Sequence, residues 1–106
     1  MNWKKIKNYK YIVSKQGKIR RLMKDGTQIQ VKIFTEKAGY EFVYLWKNDI
    51  KKTFYIHRLV AKAWIPNKDK KKYQVDHINR IRSDNRVENL RWVTSQENIL
   101  NRCNVK

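Results

Sequence analysis

Among its 106 residues the chain has one cysteine, one proline and three glycines, and nine acidic side chains against 26 Lys and Arg. Each shortage excludes something. Cys103 by itself can close neither an intramolecular disulfide nor a multi-cysteine zinc cluster, so no structural zinc is expected. No apolar run approaches the ~20 residues that a membrane span requires. The opening Met1-Asn2-Trp3-Lys4-Lys5-Ile6-Lys7 lacks the apolar stretch of a signal peptide, so an intracellular protein is expected. The shortage of acid has the largest consequence: the formal charge is +17 and the pI about 10.2. Residues 1–53 hold 14 basic and 4 acidic side chains and residues 54–106 hold 12 and 5, so the charge belongs to the whole molecule and not to a tail. Such a surface is expected to meet a polyanion over a wide area. Charge alone does not separate DNA, RNA and an anionic membrane, nor any of these from a solvated Lys-rich surface.

What is present suffices for one small folded unit. The hydrophobic fraction is 41%, with four Trp, six Tyr and three Phe, and the length matches a single domain. Tyr9 to Ser14 is rich in strand formers, Lys15-Gln16-Gly17 offers a turn and Lys18 to Leu22 a return strand. Asp25-Gly26 signals a second turn. Gln28 to Phe34 alternates, with Ile29, Val31 and Ile33 on one face. Gly39 breaks that pattern before Tyr40 to Trp46, and Lys47-Asn48-Asp49 turns the chain into Ile50 to Ile56. The first half thus predicts one antiparallel sheet of four or five strands, with one face buried and one cationic.

At His57 the period changes. Leu59, Val60, Ala63 and Trp64 form one helical stripe that ends at Pro66. A lysine-rich loop follows, then a short strand at Gln74 to His77, a polar loop from Asn79 to Asn89, a strand at Leu90 to Val93 and a helix from about Ser95 to Arg102. Thr94-Ser95-Gln96-Glu97 is a capping box. It puts Asn98 at the fourth helical position, where an apolar partner for Val93 is usual, so the first turn of the helix faces something polar. Asp76 and Asn98 both offer oxygen, which suits a hard divalent cation, although substrate oxygens and water would have to complete the shell.

Asp76-His77, the Asp84-Asn85 pair, Glu88 to Thr94 and Glu97-Asn98 together resemble the HNH nuclease motif, in the phage and intron-borne branch of homing-endonuclease-like proteins whose last motif position is Asn. The likeness extends upstream through His57 to Pro66, and Trp3 to Arg20 is similar to an N-terminal module often fused to that motif. The resemblance implies an α+β fold: a small N-terminal antiparallel β-sheet (residues 1–56), then a helix and a C-terminal ββα-metal motif (residues 57–106), the two forming one compact unit. It implies a DNA endonuclease in which His77 is the general base, Asp76 and Asn98 hold one divalent cation (Mg²⁺ or Mn²⁺), and Asn89 holds the loop and orients His77. Double-stranded DNA is then the expected partner, with no membrane, for a monomer or homodimer in a bacterial cytoplasm beside the nucleoid. Arg20, Arg21, Arg58, Lys70, Lys71, Arg80, Arg82 and Arg91 are the expected contacts to the DNA backbone.

Relatives commonly carry a glycine in the loop after Asp-His. Here the loop reads Ile78-Asn79-Arg80-Ile81-Arg82-Ser83, and Asn79 is expected to take the left-handed conformation in its place. Asp84 and Asn85 are expected to make loop hydrogen bonds. His57 is expected to be structural or to position a phosphate. Trp64, Trp92, Val75, Leu90 and Ile99 are expected to hold the motif together without zinc. Two other functions fit part of the sequence: an HNH-like module that binds DNA or inhibits a protein with weak or no catalysis, and a basic RNA-binding protein. The first leaves the Asp76, His77 and Asn98 set unused; the second explains only the charge.

Overall fold

The computed structural model describes residues 2–103. Nine strands and two helices follow in the order β1 (Trp3–Lys5), β2 (Tyr11–Ser14), β3 (Ile19–Leu22), β4 (Gln28–Gln30), β5 (Phe34–Thr35), β6 (Glu41–Lys47), β7 (Ile50–Tyr55), α1 (Ile56–Trp64), β8 (Gln74–His77), β9 (Leu90–Val93) and α2 (Ser95–Cys103), with a single 3₁₀ turn at Val87–Asn89 just before β9. The class is α+β, as the sequence implies. Every pairing is antiparallel.

The first half is two sheets, not the single one expected: β1-β2-β3-β4 and β5-β6-β7. The alternating run from Gln28 to Phe34 breaks after three paired residues. Val31 N–H still donates to Ile19 C=O at 2.9 Å, and the chain then leaves the ladder. Val31 and Ile33 pack on the core, whereas Ile29 stays 52% exposed. Three apolar residues of one parity therefore do not share a face, because the strand that would align them does not persist. The Trp3–Lys5 strand has no alternation to announce it; it exists through its pairing with Lys5↔Ile12 to Trp3↔Ser14.

Helix α1 joins these parts. Ile56, Leu59, Val60 and Ala63 lie at i, i+3, i+4 and i+7, one apolar stripe. The helix packs on β2, β6, β7, β8 and β9. Its Ile56 and Val60 share one fully buried cluster with Val13, Ile19, Val43 and Leu45 from the two sheets. Two indoles secure the junction and find acceptors for their N–H groups: Trp64 Nε1 donates to Val13 C=O (3.2 Å) and Trp92 Nε1 to Ile65 C=O (2.9 Å). The Trp46 backbone N–H donates to the Tyr11 hydroxyl (3.0 Å), which ties the second sheet to the first.

The β2–β3 turn reaches the loop between β8 and β9. Val87 N–H donates to Lys15 C=O (2.8 Å), and Gly17, at φ +89°, packs so closely on Asn85 that a Cβ there would lie 3.0 Å from Asn85 Cβ and 3.1 Å from Ile56 Cγ2. Gly26 has a similar φ (+90°) but open space around it. Gly17→Ala should therefore destabilise by about 1–3 kcal/mol through strain and crowding together, and Gly26→Ala by about 1 kcal/mol through backbone conformation alone. Urea unfolding of both variants checks the ranking; equal losses would contradict a packed contact at Gly17.

Candidate active site

Strands β8 and β9 form a four-pair hairpin from Gln74↔Val93 to His77↔Leu90. The loop that closes it is held by amides. Asn89 accepts from Asn79 N–H (3.0 Å) through Oδ1, and its Nδ2 donates to Asn79 Oδ1 (2.9 Å) and to Asp84 C=O (2.8 Å). Asn79 in turn donates to Asp84 Oδ2 (2.8 Å) and accepts from Ile81 N–H (2.8 Å). A two-pronged Arg86 contact to both Asp84 oxygens (2.7 and 2.8 Å) holds that carboxyl well below the usual carboxylate range, with the Asn79 bond adding to the effect. The left-handed residue of the loop is Arg80 (φ +64°) and not Asn79. The Asn79 side chain is committed to Asp84 and Ile81, and the turn closed by Arg80 N–H on His77 C=O places the bend one residue later.

His77 ends β8 and is buried. Its Nε2 lies 2.8 Å from Asn85 Oδ1, and Asn85 Nδ2 donates to Glu41 Oε1 on β6 (3.0 Å). The residue touching the His77 ring is therefore Asn85, while Asn89 secures the loop. Other rings crowd His77 as well: His57 at 4.9 Å and Tyr40 at 6.0 Å between centroids, with Tyr55 5.5 Å from His57. His57 is 8% exposed and its Nδ1 is buried with no hydrogen-bond partner among the described residues. Burial, with smaller contributions from His77 and Arg58 beside it, pushes its pKa down to about 3, so it is neutral at physiological pH.

Helix α2 packs on β8 and β9, and its start is fixed by the expected capping box: Glu97 N–H donates to Thr94 Oγ1 (3.1 Å) and Thr94 N–H to Glu97 Oε1 (2.9 Å). Gln74 Nε2 donates to Ser95 Oγ (2.7 Å) and Asn98 Nδ2 to Gln74 Oε1 (2.6 Å). This chain of amides leaves Asn98 Oδ1 as the atom available to a cation. Gln74 and Asp76 are two residues apart on β8 and so share the face that meets α2. Asp76 is 4% exposed, and its Oδ2 is held by Arg91 Nε across the hairpin at 3.0 Å. Among the described residues no three His, Cys, Asp or Glu side chains gather as a metal cluster. Asp76 and Asn98, one carboxylate and one amide oxygen on the same face, fit a hard cation that fills its remaining positions with water and phosphate.

An open cleft of about 470 Å³ runs beside this face, lined by Asn98, Gln74, Tyr73, Arg58, His57, Val75, Tyr55, Tyr40 and Glu36. Of the expected DNA contacts, Arg58 lines it and donates to Tyr73 C=O (3.2 Å). Arg82 lies over Tyr40 at 4.8 Å and donates to Ala38 C=O (2.7 Å), and Arg91 holds Asp76. Arg20 stacks on Trp3 (4.5 Å) and Arg21 lines a separate cleft with Tyr9 and Trp46, so these two are not part of the His77 cluster. Lys70 and Lys71 are exposed on the α1–β8 loop, and Arg80 is exposed on the turn after His77. Ile99, expected in the core, is 50% exposed: turning Asn98 onto β8 rotates the next position of α2 away from the hairpin. Trp92, Val75 and Leu90 do pack in or against the core.

The sequence of a family described as HNH endonuclease matches residues 54–100. An uncharacterized HNH endonuclease of Acanthamoeba polyphaga mimivirus is 43% identical over 95 residues, which is 85% of this chain and 22% of that protein. The DNA endonuclease I-HmuI of Bacillus phage SP01 is 37% identical over 103 residues, 95% of this chain and 57% of that protein. The solved structure of I-HmuI, an HNH homing endonuclease that binds and cleaves DNA, superposes with a TM-score of 0.84 at 36% identity, covering 97% of this chain and 58% of that one. The chain thus spans between about a fifth and three fifths of the length of these relatives.

Neutral His57 makes folding sensitive to acid. Its pKa is about 3 in the folded protein against 6.5 ordinarily, so between those values the unfolded chain binds the extra proton. Its contribution to stability is therefore complete above about pH 6.5 and is lost as the pH falls towards 3, by at most about 1.4 kcal/mol per unit. His57→Phe, which keeps an aromatic ring in the same ring cluster, should gain on the wild type as the pH drops. Urea midpoints of both proteins at neutral pH and near pH 4.5 test this, and a constant difference between them would refute it.

Proposed function

The chain belongs to the HNH endonuclease family, and from that premise we propose that it is a metal-dependent DNA endonuclease or nicking enzyme with His77 as general base and one divalent cation, Mg²⁺ or Mn²⁺, held by Asp76 and Asn98. One observation carries the reading: His77 is buried at a strand end with Nε2 against Asn85 Oδ1 at 2.8 Å. An amide oxygen only accepts, so Nε2 holds the hydrogen and Nδ1 keeps its lone pair. An imidazole in that tautomer accepts a proton from water at Nδ1.

The remaining roles complete this reading. His77 Nδ1 removes the proton from the water that attacks the scissile phosphate. The cation, when bound, supplies Lewis-acid stabilisation of charge on the phosphate and on the leaving 3′ oxygen. Asn98, tied to Gln74 and through it to Ser95, and Asp76, held by Arg91, are the residues that would hold the cation. Arg91, half exposed, and Arg58, which lines the cleft, are the nearby cations offered to backbone phosphates. One such centre hydrolyses one strand per encounter, so a monomer nicks, and two copies are needed for a double-strand break.

Supercoiled plasmid tests the proposal. The protein should relax it with Mg²⁺ or Mn²⁺ and not with EDTA, His77→Ala should lose about 10²–10⁴-fold in rate, and Asp76→Asn should abolish the metal-dependent cleavage while leaving metal-free DNA binding. Undiminished cutting by His77→Ala would sink the assignment; DNA binding with no cleavage under any metal would favour a binding module. Affinity should also be steeply salt-dependent: if about six phosphates are neutralised, log K against log salt has a slope of about −5. A flat response in a gel-shift series would contradict the electrostatic contact.

A further inference from the structure

Glu41 begins β6, in a different sheet from the hairpin that carries His77. Its Oε1 accepts from Asn85 Nδ2 (3.0 Å), while Asn85 Oδ1 lies 2.8 Å from His77 Nε2. A primary amide has one donating end and one accepting end, and nothing in its shape favours either orientation. A carboxylate can only accept. Opposite Glu41 the amide must therefore present its nitrogen to the carboxylate and its oxygen to the imidazole. An oxygen at that place can only accept, so the imidazole must carry its hydrogen on Nε2.

We infer that Glu41 is a positioning residue that sets the tautomer of His77 through the Asn85 amide. Asn85 is 3% exposed and packs beside Gly17, and turning its amide end for end would leave its shape almost unchanged. Reversed, the amide would donate to His77 Nε2, drive the hydrogen onto Nδ1 and remove the lone pair that the proposed base needs. Asn79, Asn89 and Asp84 hold the backbone of the same loop and do not touch this choice. Glu41 thus imposes on a side chain it does not contact the one tautomer useful to a general base, and the role rests on the proposed assignment of His77 as that base.

The test reads the tautomer directly, in the free protein. Long-range ¹H–¹⁵N correlation of the His77 ring, at a pH where it is neutral, should show one Nε2–H form in the wild type. Glu41→Gln is nearly isosteric and should fold, but its amide can offer either end, so both tautomers should appear and kcat should fall about tenfold with KM changed less than about twofold. In Glu41→Gln/Asn85→Asp the new amide donates to the new carboxylate, which again only accepts from Nε2. That double variant should restore the single tautomer and most of kcat. A lone Nε2–H signal in Glu41→Gln, or a double variant with mixed tautomers, would overturn the inference. Because the ring is read without DNA, absence of cleavage by the wild type would count against the nuclease reading and leave the tautomer result to judge Glu41.

Discussion

The burial of one face of α1 is the contact on which the other parts depend. Ile56, Leu59 and Val60 reach into a cluster built from both N-terminal sheets, and the same helix packs on the β8–β9 hairpin. Side chains of this size contribute about 1.5–3 kcal/mol each when fully buried. That contribution works against the mutual repulsion of 26 cationic side chains in a chain of 106 residues. With the two sheets seated on α1, the β2–β3 turn can reach Asn85 and β6 can bring Glu41 to the same residue. The candidate site is thus assembled from both halves of the chain.

The shortage of acid shapes how that site is wired. Few carboxylates are left exposed and idle. Asp84 is held by Arg86 and Asn79, Asp76 by Arg91, Glu97 closes the α2 capping box, Glu41 holds Asn85, and Asp25 caps its own turn through Thr27. The rest of the framework is made of neutral amides: Asn79 with Asn89, and Gln74 with Asn98. Amides give direction without adding charge, because their two ends differ in what they donate and accept. In a strongly positive molecule this ties the hairpin together without drawing on the cationic side chains. His57 fits the same logic, since burial keeps it neutral beside His77.

The local parts of the fold were readable from residue patterns. The α1 stripe, the strands at Gln74–His77 and Leu90–Val93 and the Thr94–Glu97 capping box are all set by neighbours within a few positions, and each lies where the pattern puts it. The division of the first half into two sheets was not readable, because it depends on where Val31 and Ile33 find the core and not on their alternation. The exposure of Ile99 and the left-handed Arg80 were missed for a related reason: Asn98 and Asn79 are committed to partners that spacing does not reveal. Of the site, His77, Asp76, Asn89 and Asn98 are motif positions, and Asn85 belongs to the Asp-Asn pair, whose spacing carries no sign of its contact to His77. Glu41 gave no signal at all.

The sequence by itself determined the chemistry on offer: a basic surface with no cysteine framework, a strand–loop–strand–helix unit, and one histidine beside one carboxylate. Those depend on composition and on spacings of a few residues, which the backbone periods of strand and helix translate directly into faces. Only the tertiary structure decided which groups hold the histidine. The Glu41–Asn85–His77 chain spans two sheets and a loop, and it exists because α1 draws those elements onto one core. Long-range hydrogen bonds of this kind follow from packing, so no local pattern in the residues could announce them.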